Sequence, residues 1–177
     1  MIPAWLTWAR GEIGTREVVG AKHNARVVAY WDIGKVELDV NDDETPWCAA
    51  FACAAIESAG YRSPRTGRAR GFEPGVRCLI CDPFTDAETH QVTNTLGAIV
   101  VLSSDRGPAS GHVGFLEAMS PGRVHLLGGN QGNQVSIASF PADRVVHVLW
   151  PAGAPAHTHY PLAPSIKAGA TVTPSDR

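Results

Sequence analysis

No stretch of this chain stays apolar for long enough to cross a bilayer. Its start, Met-Ile-Pro-Ala-Trp-Leu-Thr-Trp, has neither the basic region nor the apolar core of a secretory signal. The expectation is a protein made in the cytoplasm without a signal peptide and with no membrane partner, so that any action outside the membrane needs another route. Excess charge is missing too, with a net charge of -2 and a pI near 6.4. Arg62, Arg65, Arg68, Arg70 and Arg77 form one local cluster, read as a solvated loop, and no nucleic-acid partner is expected. There is no internal repeat. The 177 residues, 44% hydrophobic and 18% charged, suit one globular domain with a real core.

Cysteine is sparse, at positions 48, 53, 78 and 81. Cys48 and Cys53 lie five residues apart on one predicted helix and point about 140° away from each other, so they cannot share a zinc ion. Cys78-Leu-Ile-Cys81 runs into Asp82-Pro83 rather than into a helix, which does not suit a redox pair and leaves a structural or incidental one. No metal site and no cofactor are expected, and His157-Thr-His159 reads as solvated.

Apolar residues recur at helical spacing over residues 2 to 13, which end at Gly14, and over residues 23 to 31. A third helix is predicted over 46–60, with Thr45 as cap, Pro46 at the first helical position and Gly60 as the stop. Its alanines at 49, 50, 52, 54 and 55 permit close packing. A Gly/Pro/Arg-rich stretch from 61 to about 95 reads as a long surface excursion. From residue 97 the period changes. Ala98–Leu102, His112–Ala118, Arg123–Leu127, Gln134–Phe140 and Val145–Trp150 read as strands, with Ser120-Pro121-Gly122 as a hairpin turn. Helices first and strands second predict an α+β domain over 1–151, with the third helix packed on an antiparallel sheet of about five strands. Residues 152–177, rich in Pro, Ala, Gly, Ser and Thr, read as a flexible tail.

Three residues carry the chemistry. Cys48 lies in Asp-Glu-Thr-Pro-Trp-Cys-Ala-Ala-Phe (43–51), at a helix start, where unpaired N–H groups and the positive end of the dipole favour thiolate. Taken alone it is equally one more small buried residue in an alanine-rich run. His112, in Gly-His-Val-Gly-Phe (111–115), begins a strand between glycines that leave room for a close approach. Asn130, in Gly-Gly-Asn-Gln (128–131), supplies a side-chain amide able to hold the imidazole in one tautomer. The order of thiol, imidazole and amide is the one expected of a papain-like nucleophile, base and orienting residue, with the Cys48 amide as first oxyanion donor. Glu44, close to the nucleophile, is a candidate contact for a substrate amine, and Trp47, Gly111 and Gln131 join it as candidate substrate-binding residues. Glu12 and Glu17 flank a helix end and suit caps or salt bridges rather than the carboxylate pair of a glycosidase. Asp43 and Glu44 precede a helix N-terminus, where anions are favoured.

The blocks Trp8-Ala-Arg, Glu12-x-Gly14, Glu17, Asn24, residues 43–51, Gly60, 111–115, 128–131, Val135 and Trp150-Pro151 resemble, in order over residues 5 to 151, small bacterial and phage proteins of the CHAP/NlpC-like cysteine amidase and peptidase superfamily. The resemblance implies a papain-like fold and cleavage of amide bonds in peptidoglycan, with Cys48 as nucleophile, His112 as base and Asn130 as orienting residue. The stretch 61–95 departs from the pattern through its extra arginines and its Cys-x-x-Cys. The expected function is a peptidoglycan amidase or endopeptidase used in lysis or interbacterial attack, acting at the periplasm or cell wall after delivery. Delivery machinery and an immunity protein are the partners such a role brings. The alternatives are a toxin that deamidates or cleaves a protein and a non-catalytic wall-binding domain.

Overall fold

A computed structural model describes residues 1–20, 22–76, 78–81 and 95–155, with the backbone alone at 80 and 81. Arg77, His90, the Cys81 side chain, the His157–His159 pair and most of the expected tail lie outside the described residues. The architecture is α+β. Three helices, α1 (Ala4–Gly11), α2 (Ala25–Ile33) and α3 (Cys48–Ser58), precede six strands: β1 (Leu79–Cys81), β2 (Ile99–Ser103), β3 (Gly111–Ser120), β4 (Arg123–Gly128), β5 (Ser136–Pro141) and β6 (Val145–Pro151). The strands form one antiparallel sheet in the order β1-β6-β2-β3-β4-β5.

The helices end for local reasons. Asn24 caps α2 by accepting the Arg26 N–H, 2.9 Å away. At the end of α3, Gly60 takes a φ of +84°, its N–H reaches Glu57 O and the Tyr61 N–H reaches Ile56 O, the double bond that closes a helix through a left-handed residue. The predicted start of α3 is displaced. The helix begins at Cys48 rather than at 46, Trp47 precedes it without a side-chain cap, and Thr45 does not cap it. The reason is Asp42, whose carboxylate accepts the N–H groups of Glu44 and Thr45 and the Thr45 hydroxyl and so bends the chain into a turn before the helix.

Every residue of α3 from Cys48 to Ile56 is buried, which makes it the central helix, set between α1 and α2 and the faces of β3 and β4. Trp5, Trp47, Trp150, Tyr30, Phe72 and Phe115 are large fully buried rings around it, and Phe51 is its own. Where α3 meets the β4 end, a side chain at Gly129 would lie 2.5 Å from a Trp47 ring carbon and 2.7 Å from Phe51 Cβ, so only glycine admits this packing.

The stretch 61–95 is not simply a surface excursion. Ser63, Ala69, Phe72, Cys78 and Leu79 are buried, and β1 pairs Leu79 to Cys81 with Pro151 to Leu149 of β6, adding a sixth strand to the sheet. Apolar residues too widely spaced to show a period nonetheless seat themselves singly in the core. Arg62, Arg65 and Arg68 are exposed as expected, whereas Arg70 is half-buried, its stem against Gly111.

Candidate active site

Cys48 owes its position to the segments that tether the chain just before it. Asp43, fully buried, accepts the N–H groups of Val18 at 2.7 Å and Asn24 at 2.8 Å and faces His23 Nδ1 at 3.0 Å. Its environment therefore differs from the expected one, since it serves Val18, His23 and the Asn24 cap of α2 rather than the start of α3. Burial raises its pKa, but these hydrogen bonds outweigh that and hold it at about 2. The buried Trp47 indole donates to Glu17 at 2.8 Å, and desolvation pushes the Glu17 carboxyl above its usual range. Glu12 pairs with Arg26 and accepts from Tyr30 OH. With no side-chain cap on α3, its leading amides are free for another acceptor: the Cys48 and Ala49 N–H groups turn to the Cys48 sulfur.

The third amide on that sulfur belongs to Val113, so the peptide unit joining His112 to Val113 lies against the thiol. Helix and strand are brought together at this point. Burial nevertheless pushes the Cys48 thiol above its ordinary value, and the three amides only oppose this. Placement at a helix start does not by itself lower the thiol pKa here, because desolvation of the buried Cys48 outweighs the three amides.

His112 is the second residue of β3, opposite Leu102 of β2. Its Nε2 lies 2.9 Å from Gln131 Oε1. The Gln131 amide nitrogen donates to Leu126 O and Ser136 O, which turns the oxygen toward the imidazole. The network thus assigns the proton to Nε2 and leaves Nδ1 as the basic nitrogen of the neutral ring. The Phe140 ring lies 5.2 Å from the His112 ring at an interplanar angle of 32°. Gly128 makes the arrangement sterically feasible, since a side chain there would lie 2.9 Å from Gln131 Oε1 and 3.1 Å from His112 Nε2. The glycines flanking His112 also serve the sheet: added carbons at Gly111 and Gly114 would meet Leu102 O at 2.5 Å and Leu127 O at 3.0 Å.

Cys48, His112 and Asn130 line one cleft of about 440 Å³, together with Gly111. Asn130 sits half-buried with φ +56°, a conformation its short amide tolerates. The hydrogen bond on His112 Nε2, expected of Asn130, comes from the next residue. Gln131 was expected to meet substrate but is 5% exposed with its amide engaged at both ends. Trp47 is likewise a core residue rather than a substrate contact, and Glu44 is exposed and outside the cleft lining. Missed from the sequence were Phe140, Arg106 and Arg144, which reach the site from three separate segments. A Gly-Gly-Asn-Gln run holds two amides, and only the direction of the chain after Gly129 decides between them. Among the described residues no group of three or more His, Cys, Asp or Glu side chains could hold a metal ion.

No protein-family model matches the chain, and no curated protein sequence matches it. Two similar solved structures are described as a wild-type endolysin, LysIME-EF1, and as Ly7917. The first is 14% identical with a TM-score of 0.47, over 85% of this chain and 65% of its own. The second is 19% identical with a TM-score of 0.43, over 85% and 62%. The chain thus spans less than two thirds of the length of either.

Proposed function

We propose that this protein is a cysteine hydrolase that cuts an amide bond in the peptide part of peptidoglycan, acting as an amidase or endopeptidase. The observation that carries the reading is the Gln131-bound imidazole of His112, with its basic Nδ1, sharing a cleft with Cys48 on a helix start. The substrate class rests on the motif blocks around Cys48 and His112. Lysis or interbacterial attack is the setting this reading implies, with delivery to the cell wall.

In the proposed reaction His112 Nδ1 takes the Cys48 proton and the sulfur attacks the amide carbon. This answers the raised thiol pKa, since an ion pair formed as substrate enters needs no standing thiolate. The carbonyl oxygen gains the charge and is held by the Cys48 amide, one of the three that face the sulfur. As the C–N bond breaks, His112 returns the proton to the leaving amine, and a thioester remains. Water then attacks the thioester with His112 as base, releasing a carboxylic acid and the Cys48 thiol. Throughout, Gln131 Oε1 accepts from Nε2–H and favours the imidazolium.

The test is incubation of purified peptidoglycan with the wild type and Cys48→Ala, followed by quantification of new amines and the masses of released fragments. The wild type is expected to generate one class of new amine and Cys48→Ala none. Equal release by both proteins, or none by either, overturns the proposal.

A further inference from the structure

We propose that Phe140 is a positioning residue for the base of the reaction: its ring fixes the plane of the His112 imidazole, which the hydrogen bond to Gln131 leaves open. The inference rests on the hydrolase reading for the role of His112 and goes beyond it in naming what holds that role in place. The bond from Nε2–H to Gln131 Oε1, 2.9 Å long, pins one atom of the imidazole. Rotation about the N–H···O axis leaves that bond intact, and the outer torsion of a histidine is broad. The plane of the imidazole, and with it the direction of the Nδ1 lone pair, therefore needs a second constraint. The Phe140 ring supplies one. It lies 5.2 Å from the imidazole, within the roughly 4.5–7 Å of paired rings, and at 32° it is nearer parallel than perpendicular.

Phe140 is itself held by the elements on either side of it in the chain. On β5 it pairs with Val124 of β4, and it packs half-buried against the core. Pro141 then leads into the 3₁₀ turn Ala142–Arg144, which carries the Arg144 guanidinium carbon to 5.7 Å from the centre of the Phe140 ring. Arg144 is clipped to Ser103 at both ends: its Nε and Nη2 donate to Ser103 O at 3.1 and 2.8 Å, and its own carbonyl accepts from Ser103 Oγ at 3.2 Å. Ser103 pairs across the sheet with Gly111, the residue before His112. The path from His112 through Phe140, Arg144 and Ser103 thus returns to His112, a closed loop of contacts that ties β2, β3 and β5 around the base. Misplacing a reacting group by about 1 Å costs up to about 10²-fold in rate, so the plane of the imidazole is felt in the chemistry.

The experiment follows alkylation of Cys48 by iodoacetamide in the full chain from about pH 6 to about pH 10, quantified by mass on the peptide that contains Cys48. The proteins are the wild type, Phe140→Leu, Phe140→Tyr and His112→Ala. At pH 7, Phe140→Leu is expected to react about three- to tenfold slower than the wild type, and the deficit should shrink toward none as alkali takes the thiol proton without the imidazole. Phe140→Tyr keeps the ring face and should stay within about twofold of the wild type throughout. A residue that merely fills space would give a deficit independent of pH. Nuclear Overhauser contacts between the His112 and Phe140 rings of the wild type check the pairing without any variant. The proposal is overturned by an unchanged rate in Phe140→Leu at pH 7, by a deficit of the same size at pH 7 and pH 10, by a Phe140→Tyr as slow as Phe140→Leu, or by missing contacts between the rings. Equal rates for wild type and His112→Ala sink the catalytic pair itself, whereas a His112-dependent rate that survives Phe140→Leu sinks only the role given to Phe140.

Discussion

The exchange of roles between Asn130 and Gln131 gives the sharpest test of the site. Gln131→Ala removes the acceptor 2.9 Å from His112 Nε2 and frees the carbonyls of Leu126 and Ser136 from their donor. A hydrogen bond to a group that becomes charged is worth about 1.5–3 kcal/mol. At 1.36 kcal/mol per factor of ten, its loss in the transition state lowers kcat/KM by about one to two orders of magnitude. Stability falls as well, by about 1–3 kcal/mol for buried acceptors left unpaired. Asn130→Gly accepts the φ of +56° without strain and leaves Nε2 bonded, so its kcat/KM should stay within about tenfold of the wild type. Release of new amines from purified peptidoglycan gives the rates, and the thermal midpoint of each variant gives its stability. Nitrogen chemical shifts of the imidazole report the tautomer, with proton on Nε2 in the wild type and in Asn130→Gly but a mixture in Gln131→Ala. An Asn130→Gly loss equal to or larger than that of Gln131→Ala, or an unchanged tautomer in Gln131→Ala, refutes the assignment.

Other expectations are equally direct. Because burial holds the Cys48 thiol up, alkylation by iodoacetamide at pH 7 should depend on His112 as base. His112→Ala should react at least tenfold slower there and catch up only as alkali deprotonates the sulfur, and equal rates at pH 7 would contradict the pairing. Asp43 and Glu57 are both held at about 2 in the folded chain, below their ordinary 3.8 and 4.5. Their stabilisation is complete above about pH 4.5 and disappears as pH falls toward 2; denaturant melts of wild type and Asp43→Ala should show a shallower acid limb in the variant. Gly129→Ala drives a carbon into Trp47 and Phe51, so it should cost about 1–3 kcal/mol or more of stability in the same melts. Gly128→Ala pushes on Gln131 and His112 instead and should lower kcat/KM by at least tenfold with a smaller change in midpoint. A reversed pattern for the two glycines would count against the geometry.

What could be read in advance was what lies close along the chain. Apolar periodicity located α1 and α2, short apolar runs bounded by turns located five strands, and Gly60 marked the end of α3 because a left-handed residue there needs no distant partner. Spacing also singled out Cys48, His112 and Asn130, which line one cleft, because each sits at the edge of a regular element. The start of α3 escaped by two residues, since Asp42 takes the Thr45 hydroxyl and the Glu44 and Thr45 amides into a turn, and the outcome depends on that turn rather than on propensity.

What needed the tertiary structure was everything set by distance across the chain. The Leu126 and Ser136 carbonyls lie on strands either side of the Gln131 turn and decide which amide faces His112. Burial sets the sign of the Cys48 shift against the three amides, because desolvation depends on what packs around the sulfur and not on its place in a helix. Phe72 and β1 join the core from a segment without periodic pattern, and Arg106 and Arg144 meet in one cleft from connections 38 residues apart in number. Local interactions are encoded by neighbours in sequence, whereas solvation, tautomer and charge in a cleft are sums over residues that only folding makes adjacent.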